Sequence, residues 1–315
     1  MTDLATRPIE RFQHDAVLYS GLEDFVGQMG AFIEDAVDAE EPILVVVDAG
    51  KIDRLTARLG PKADAVRFAD MADVGGNPAR IIPAWRAFVD EHSSTGRPFR
   101  GIGEPIWAAR TPDELVECER HEALLNLAFA DSPPWWLVCP YDVTSLDGDV
   151  LAEAERNHPA VIDGGSPRAS AGFRNLDEVA APFDRPLPPP PEGARLRSFD
   201  GSSLTETRAW VRELATAHQL PPARVDDVVL AAAELLTNSV RHGGGRGTLL
   251  IWSSGDDFVF EVRDDGRLVD PLAGRRRPSD QQMSGFGLWM VTQLCDLVQV
   301  RSFDDGSVVR LHVSP

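Results

Sequence analysis

A run of four prolines divides this chain into two parts. The run stands in APFDRPLPPPPEG, 181–193, and the stretch 163–172 before it is small and polar. Consecutive prolines cannot continue a helix or a central strand, because proline lacks an N–H and has a fixed φ, and they favour a stiff, extended spacer. We therefore predict a linker over 161–193, between one domain at 10–160 and a second domain at 194–315.

The overall length and charge agree with two domains that differ in surface charge. The chain has 315 residues, which is long for one hydrophobic core and sufficient for two. Its formal net charge is −19, of which residues 1–192 carry −17 and residues 193–315 carry −2. Such a negative chain is poorly suited to the phosphate backbone of nucleic acid or to an anionic membrane surface. We therefore expect no direct nucleic-acid partner and no membrane partner.

The cysteines and the N-terminus indicate a cytoplasmic protein. Cys118, Cys139 and Cys295 are widely spaced, so their pattern predicts neither a structural zinc site nor a disulfide framework. The first residues contain no apolar stretch of the signal-peptide type, and no run approaches the roughly 18 apolar residues of a membrane span.

The first domain alternates short β-rich runs with helical patterns. The runs at 43–47 and 135–139 are continuously apolar, which is typical of strands buried on both faces. Alternation of such strands with helices favours a doubly wound, mostly parallel α/β sheet. The predicted strands are AVLYS, ILVVVD, AVRFAD, FRGIGE and WWLVCPYD, and the predicted helices lie near 22–38, 78–92 and 111–130.

The second domain has the pattern of an antiparallel sheet with helices on one face, an α+β two-layer sandwich. In DFVFEVRD, Phe258, Phe260 and Val262 alternate with Val259 and Glu261, as expected of a sheet with one covered face. The other predicted strands are TLLIWS, LVQVRS and SVVRLHV, and the predicted helices lie near 202–218, 222–241 and 287–296.

Three short motifs in the second domain suggest chemistry. ELLTNSVRHGG puts Glu234 and Asn238 one turn apart on a polar helix stripe, and VRDDGR puts Asp264 at a strand end. SGFGLWMV puts Gly285 and Gly287 at the start of an apolar helix, where uncovered N–H groups can receive an anion. Taken singly, a solvated helix face, a surface turn and a lone G-x-G are the plain alternatives, but the order of the three motifs is specific.

This order resembles the GHKL ATPase superfamily, which includes histidine kinases, gyrase-type ATPases and the anti-sigma-factor serine kinases. ELLTNSVRHG resembles the N box, DDG the first glycine box and GFGLWMVTQLCD the second. The short domain is most similar to the anti-sigma serine kinases. The resemblance implies a Bergerat ATPase fold, ATP and Mg²⁺ as cofactors, and a homodimer.

Carried over by position, the resemblance gives each motif a role. Glu234 resembles the general base or water-orienting carboxylate, Asn238 the side-chain ligand of Mg²⁺, and Asp264 the acceptor for the adenine amino group. Loop 267–284 would be a lid over the phosphates, and Leu268 departs from the family by replacing the second glycine of the first glycine box. The other residues expected to contact nucleotide are Gly266, Gly285, Gly287, Leu288 and the lid arginines Arg275, Arg276 and Arg277, for which a solvated basic loop is the alternative.

The resemblance also implies a function. No long heptad helix with a phosphoacceptor histidine precedes the second domain, and His242 is interpreted as a helix-end residue. We therefore expect phosphorylation of a serine or threonine on a separate anti-anti-sigma factor, a STAS-domain protein, which controls release of a sigma factor. The alternatives are a catalytically silent ATP-binding regulator that sequesters its partner, or an unorthodox sensor histidine kinase.

RGIGEPIW and LVCPYD in the first domain resemble the MEDS sensory domain, a degenerate relative of RecA-like clock ATPases. Only Gly50 and Lys51 suggest a phosphate loop, and the other residues that such a loop needs are missing. Ligands of open α/β sheets bind beyond the carboxyl ends of strands, so we expect a sensory pocket for a small-molecule signal that gates the kinase. Its candidate residues, for which capping and core packing are the alternatives, are His14, Asp48, Glu104, Cys139, Tyr141 and Asp142.

Overall fold

The computed structural model describes residues 9–174, 185–278 and 285–315. The chain divides into two compact units, Met1–Ala180 and Ala181–Pro315, and each has a hydrophobic core of its own. Parts of the predicted linker and the last residues of the predicted lid lie outside the described ranges. Within those ranges, no helix combines the length and the apolar character needed to cross a bilayer.

The first unit is built on a seven-stranded mixed sheet. Its strands are β1 (Gln13–Tyr19), β2 (Ile43–Val47), β3 (Arg67–Asp70), β4 (Phe99–Gly103), β5 (Trp135–Asp142), β6 (Ala160–Asp163) and β7 (Ser166–Ala169). Its helices are α1 (Gly21–Asp38), α2 (Ala49–Leu59), α3 (Met71–Gly75), α4 (Ile81–His92), α5 (Pro112–Ala128) and α6 (Gly148–Asn157). The strand order is β3-β2-β4-β5-β1-β6-β7, and every pairing is parallel except that of β6 with β7.

Alternating residues of the central strands pack against helices on opposite faces of this sheet. Trp136 and Val138 of β5 join the core formed with α1 and α2. The ring of Trp85 on α4 lies so close to Gly101 of β4 that a Cβ there would stand 2.8 Å from it. Because β5 is buried on both faces, it is continuously apolar, and the five strands predicted for this domain are confirmed.

The sheet extends into the segment that was predicted as linker. The end of β6 and all of β7 lie within 161–193, and β7 pairs antiparallel with β6. Every residue of β7 is exposed. A fully exposed edge strand has no buried face to impose an apolar alternation, so its sequence, SPRA, resembles a turn.

Over its described residues, the second unit is an antiparallel sheet with three helices. Its strands are β8 (Arg195–Asp200), β9 (Arg246–Ser254), β10 (Asp257–Asp264), β11 (Leu297–Phe303) and β12 (Gly306–Val313), in the order β11-β12-β10-β9-β8. Its helices are α7 (Leu204–Ala217), α8 (Pro222–His242) and α9 (Phe286–Leu294). Phe258, Phe260 and Val262 of β10 pack with apolar residues of the helices, as the sequence predicts.

The opposite face of this sheet is more covered than its sequence pattern suggests. Val259 and Glu261 are both fully buried. The guanidinium of Arg310 donates to the Glu261 carboxylate at 2.7 and 2.6 Å and to the carbonyl of Pro188 at 2.6 Å. Arg301 donates to the carbonyl of Arg185 at 3.1 Å. The proline-rich segment therefore lies along the sheet, and the expectation of an open polar face is wrong at Glu261.

Candidate functional site

Glu234 and Asn238 of α8 both face the beginning of α9. A Cβ placed on Gly287 would lie 2.8 Å from Glu234 Oε2 and 3.2 Å from Asn238 Nδ2. Helix α9 begins at Phe286 after Gly285, which has a φ of 98° and so adopts a left-handed conformation that favours glycine. Two of the motifs singled out in the sequence therefore meet in space, with only hydrogens of Gly287 between them.

Asp264, at the end of β10, is held by three donors. The hydroxyl of Ser239 donates to Asp264 Oδ2 at 2.6 Å, while the hydroxyl of Ser307 and the backbone N–H of Gly266 donate to Oδ1 at 2.9 Å each. A carboxylate offers about four lone-pair positions. Oδ2 therefore keeps the capacity to accept a further hydrogen bond, from a ligand in the adjoining cavity.

Glycines bring the end of α8 close to the strand that carries Asp264. The side chain of Asp264 occupies the space that a Cβ on Gly243 would need, and a Cβ on Gly266 would stand 2.8 Å from both Gly243 Cα and the carbonyl oxygen of His242. Gly243 also ends α8, and its N–H donates to the carbonyl of Ser239 at 2.8 Å. His242 lies at the helix end, as predicted, and its side chain is exposed.

These residues surround a cavity of about 660 Å³. The volume is within the range of ligand pockets, roughly 300–1,000 Å³. Its polar lining includes Asn238, Asp264 and the glycines Gly266, Gly285 and Gly287, while Glu234 lies just behind Gly287. Apolar side chains form much of the remaining wall: Leu235, Val262, Leu272, Leu288, Val300 and Val309.

The predicted lid contributes only part of its arginines to the cavity. Arg276 and Arg277 are exposed and line it, and the Arg277 guanidinium lies 5.9 Å from the Trp289 ring centroid. Arg275 is 5 % exposed and is not among the lining residues. Leu268 lines the cavity, and its N–H donates to the hydroxyl of Ser302 at 2.8 Å, which fastens the start of this loop to β11. Residues 279–284 of the predicted lid are outside the described ranges.

The contacts of the six candidates of the first domain place them in separate groups. Asp142 accepts hydrogen bonds from the N–H groups of Gly21 and Thr144, at 3.2 and 3.0 Å, and from the hydroxyls of Thr144 and Ser145 at 2.7 and 3.0 Å. The pKa of Asp142 lies below its usual value because these hydrogen bonds outweigh partial burial. Asp142 therefore has a structural role, which was the alternative, although it holds the turn after β5 and the start of α1 and does not cap the next helix.

Glu104 and Asp48 lie on either side of Lys51, a residue that the sequence gave no role. Lys51 Nζ donates to Glu104 Oε2 at 2.5 Å and lies 3.4 Å from Asp48 Oδ2, and the hydroxyl of Tyr19 donates to Glu104 Oε1 at 2.5 Å. Burial raises the pKa of Glu104, and the Lys51 ammonium opposes that rise. Lys51 could have been found from topology, because β2 and β4 are neighbours and their carboxyl ends meet at one edge.

His14 and Cys139 belong to a separate buried group. His14 Nε2 lies 3.3 Å from Cys139 Sγ and 3.1 Å from Glu122 Oε2, while Tyr141 packs edge-on against His158 at 5.6 Å. Cys139 is buried, as expected. Glu122 and His158 were missed because α5 and the turn after α6 show no motif that links them to β1 or β5.

Two family models match separate parts of the chain. Residues 13–159 match the MEDS family, the methanogen/methylotroph DcmR sensory domain, and residues 198–313 match the histidine kinase-like ATPase domain. The anti-sigma F factor of Clostridium acetobutylicum is 29 % identical over 117 residues, which span 33 % of this chain and 80 % of that protein.

A solved structure of the RsbU and RsbW domains of a Mycobacterium tuberculosis protein is also similar. It is 19 % identical, with a TM-score of 0.31, and the match covers 39 % of this chain and 33 % of that chain. The match to the histidine kinase-like ATPase domain implies ATP binding by the second unit, where Asn238, Asp264 and Gly287 line one cavity. Residues 13–159 are therefore similar to the MEDS sensory domain, and residues 198–313 are similar to the histidine kinase-like ATPase domain.

Proposed function

We propose that the second domain binds Mg²⁺ and ATP and transfers the γ-phosphoryl group to a serine or threonine of a separate protein. One observation carries the proposal. The side chains of Glu234 and Asn238 both lie against Gly287, beside the cavity that Asp264 lines. A carboxylate and an amide that face a helix start with no side chain between them suit a phosphate group paired with a hard cation.

The adenine end of the nucleotide would lie against Asp264. This carboxylate keeps an acceptor position on Oδ2 after binding its three protein donors, and that position suits an exocyclic amino group. The apolar wall that includes Val262, Leu288 and Val309 suits the flat face of a base. Gly266 lines the same cavity, and its lack of a side chain lets the end of α8 pack closely beside Asp264.

The phosphate end would lie between α8, the start of α9 and the lid. Asn238 supplies an amide oxygen for Mg²⁺, which when bound neutralises charge on the phosphates. Arg276 and Arg277 line the cavity and are exposed, so either guanidinium is able to donate to a phosphate oxygen.

Glu234 would act as the general base. In the transfer, the hydroxyl oxygen of the acceptor serine forms a bond to the γ-phosphorus, the bond from that phosphorus to the β,γ-bridging oxygen breaks, and ADP leaves. Glu234 accepts the proton that the hydroxyl loses. Glu234 lies against Gly287 and one helical turn from Asn238, and this position supports the role.

The partners follow from the similarity to an anti-sigma F factor. We propose that the second domain binds a sigma factor, that its phosphorylation substrate is a STAS-domain anti-anti-sigma factor, and that it acts as a homodimer. We further propose that the MEDS domain senses a small molecule and gates this activity.

The finer description of the domains is part of the same proposal. The mostly parallel sheet of the first unit supports a RecA-like origin, and the helix-covered antiparallel sheet of the second supports the Bergerat fold. We propose functional boundaries at 10–160 for the sensor and 194–315 for the ATPase, with 161–193 between them.

The test is phosphoryl transfer from labelled ATP, with Mg²⁺, to a STAS-domain protein of the same bacterium. We expect Glu234→Gln to lower the transfer rate by roughly 10²–10⁴-fold, the usual contribution of a general base, with little change in Mg·ATP affinity. Glu213→Gln is the matched control, because Glu213 is exposed on α7.

The chemical stability of the label separates the possible functions. Acid-stable phosphoserine or phosphothreonine on the partner supports the proposal. Tight nucleotide binding without any transfer would show a silent binding module, and an acid-labile label on the protein itself would show a histidine kinase. Transfer by Glu234→Gln at the rate of the control would refute the role given to Glu234.

A further inference from the structure

Four buried side chains with metal-binding donor atoms meet inside the MEDS domain. They are His14 on β1, Glu122 on α5, Cys139 on β5 and His158 directly after α6. One donor atom of each lies within 4.8 Å of the other three, and none of the four residues is more than 1 % exposed. These residues are far apart in the sequence, which is why the cysteine spacing alone predicts no metal site.

The hydrogen bonds of His14 aim its Nε2 lone pair at the centre of this group. The amide nitrogen of Asn126 donates to the carbonyl of Asn157 at 2.8 Å, which leaves Asn126 Oδ1 facing His14 Nδ1 at 3.2 Å. The proton of His14 is therefore on Nδ1, where it donates to that oxygen. Its Nε2 then faces Glu122 Oε2 at 3.1 Å as an acceptor.

His158 is arranged in the same way from the other side. Its Nδ1 donates to the carbonyl of Ala154 at 2.8 Å, and its Nε2 lies 3.2 Å from the same Glu122 Oε2. Metal-binding histidines usually donate their second ring N–H to a carbonyl or carboxylate, which fixes the ring and the tautomer. Both imidazoles of this group meet that condition.

Without a cation, the group has fewer hydrogen-bond donors than hydrogen-bond acceptors. The Nδ1 proton of His14 is already donated to Asn126 Oδ1. Glu122 Oε2 lies 3.1 and 3.2 Å from the two Nε2 atoms, and with both ring protons on Nδ1 neither imidazole donates a hydrogen bond to it. Glu122 Oε1 has no hydrogen-bond partner among the described residues.

We propose that this group binds one divalent transition-metal ion, with Zn²⁺ preferred, through His14 Nε2, His158 Nε2, Glu122 and Cys139 Sγ. On binding, Cys139 releases its proton to solvent, and the charges of one carboxylate and one thiolate balance the ion. A neutral total avoids the large cost of burying net charge. A mixed set of nitrogen, sulfur and oxygen donors fits Zn²⁺ and does not suit Mg²⁺ or Ca²⁺.

The spacing of the donor atoms is close to that of a tetrahedral site. Zinc lies about 2.0–2.1 Å from imidazole nitrogen and about 2.3 Å from thiolate sulfur, so neighbouring ligand atoms stand roughly 3.3–3.6 Å apart. Three pairs here lie at 3.1, 3.2 and 3.3 Å, and all four donor atoms lie within 4.8 Å of one another. Four protein ligands complete the tetrahedron, as in structural zinc sites. The ion would join β1, α5, β5 and the end of α6.

Cobalt substitution of the full-length protein tests the site directly. We expect the chelator-stripped protein to take up one Co²⁺ per chain, with a thiolate-to-cobalt charge-transfer band and the intense visible bands of tetrahedral Co²⁺. Cys139→Ser should abolish the charge-transfer band. Cys118→Ser is the matched control, because Cys118 is also a buried thiol of this domain and its Sγ donates to the carbonyl of Pro105.

Two results would overturn the proposal. One is a protein that, after loading with Zn²⁺ or Co²⁺ and desalting, retains less than a tenth of an equivalent of metal. The other is a cobalt spectrum without a thiolate band, or with a band that Cys139→Ser leaves unchanged. If Cys139→Ser does not fold, the wild-type spectrum and metal content still decide the matter.

Discussion

Gly287 is the residue at which the polar side chains of α8 meet the start of α9. An added methyl group would stand 2.8 Å from Glu234 Oε2 and 3.2 Å from Asn238 Nδ2. Because the backbone φ of Gly287 does not require glycine, Gly287→Ala should fold and displace only these two side chains. We expect at least a tenfold loss of Mg·ATP affinity, measured by titration calorimetry.

Gly193→Ala is the matched control for this substitution. A Cβ at Gly193 meets nothing within 4 Å, and the residue belongs to the same unit. Its ATP affinity should equal that of the unaltered protein. Unchanged affinity in Gly287→Ala as well would mean that nucleotide does not bind between α8 and α9.

At the residue scale, the sequence predicted what lies close to a motif and missed what depends on distant contacts. Glu234, Asn238 and Gly287 were singled out because three short motifs occur in a specific order. Glu122 and His158 have no such motif, and they approach His14 only because separate elements pack together. The sequence of α5 does indicate buried polar groups. Its polar residues lie on every side of the helix, so some of them must face the core.

At the scale of elements, the buried pair of Glu261 on β10 and Arg310 on β12 should hold the outer face of the second sheet together. Glu261 is fully buried and accepts from Arg310 at 2.7 and 2.6 Å. Removing one member of a buried ion pair leaves an unpaired charge, so Glu261→Gln should lower the free energy of unfolding by roughly 3–5 kcal/mol. Chemical denaturation measures the free energy of unfolding of the variant, and hydrogen exchange shows whether β10 and β12 lose protection.

The control for this pair is an exposed one. Arg212 donates to Asp226 at 2.8 Å between side chains that are 52 % and 68 % exposed, so Asp226→Asn should change the free energy of unfolding by less than about 1 kcal/mol. Equal effects of Glu261→Gln and Asp226→Asn would mean that the proline-rich segment does not exclude water from Arg310.

Elements with a buried face were predictable, whereas elements at the edges were not. The strands β2 and β5 are continuously apolar because both faces are covered, and β10 shows the alternation of its inner face. By contrast, β8 buries only Phe199, so its sequence, RLRSFD, gives no strand pattern. Glu261 was placed outside the core because its burial depends on Arg310 and on a segment distant in the sequence.

At the scale of the whole molecule, the two domains should respond to different ligands. Each has its own core, and the nucleotide and metal sites that we propose lie in different units. A ligand that binds only the folded state stabilises the unit that holds it, by about 2.7 kcal/mol at 100 times its dissociation constant. Scanning calorimetry with Mg²⁺ and a non-hydrolysable ATP analogue should therefore raise one thermal transition by several degrees and leave the other in place.

Assignment of the two transitions uses the variants already described. Gly287→Ala should remove the shift caused by the ATP analogue, because it blocks the cavity at the start of α9. A chelator should lower only the other transition, since the histidines and Cys139 of the metal site belong to the first unit. A single transition that moves with both ligands would show that the two units unfold as one cooperative unit and would contradict this prediction.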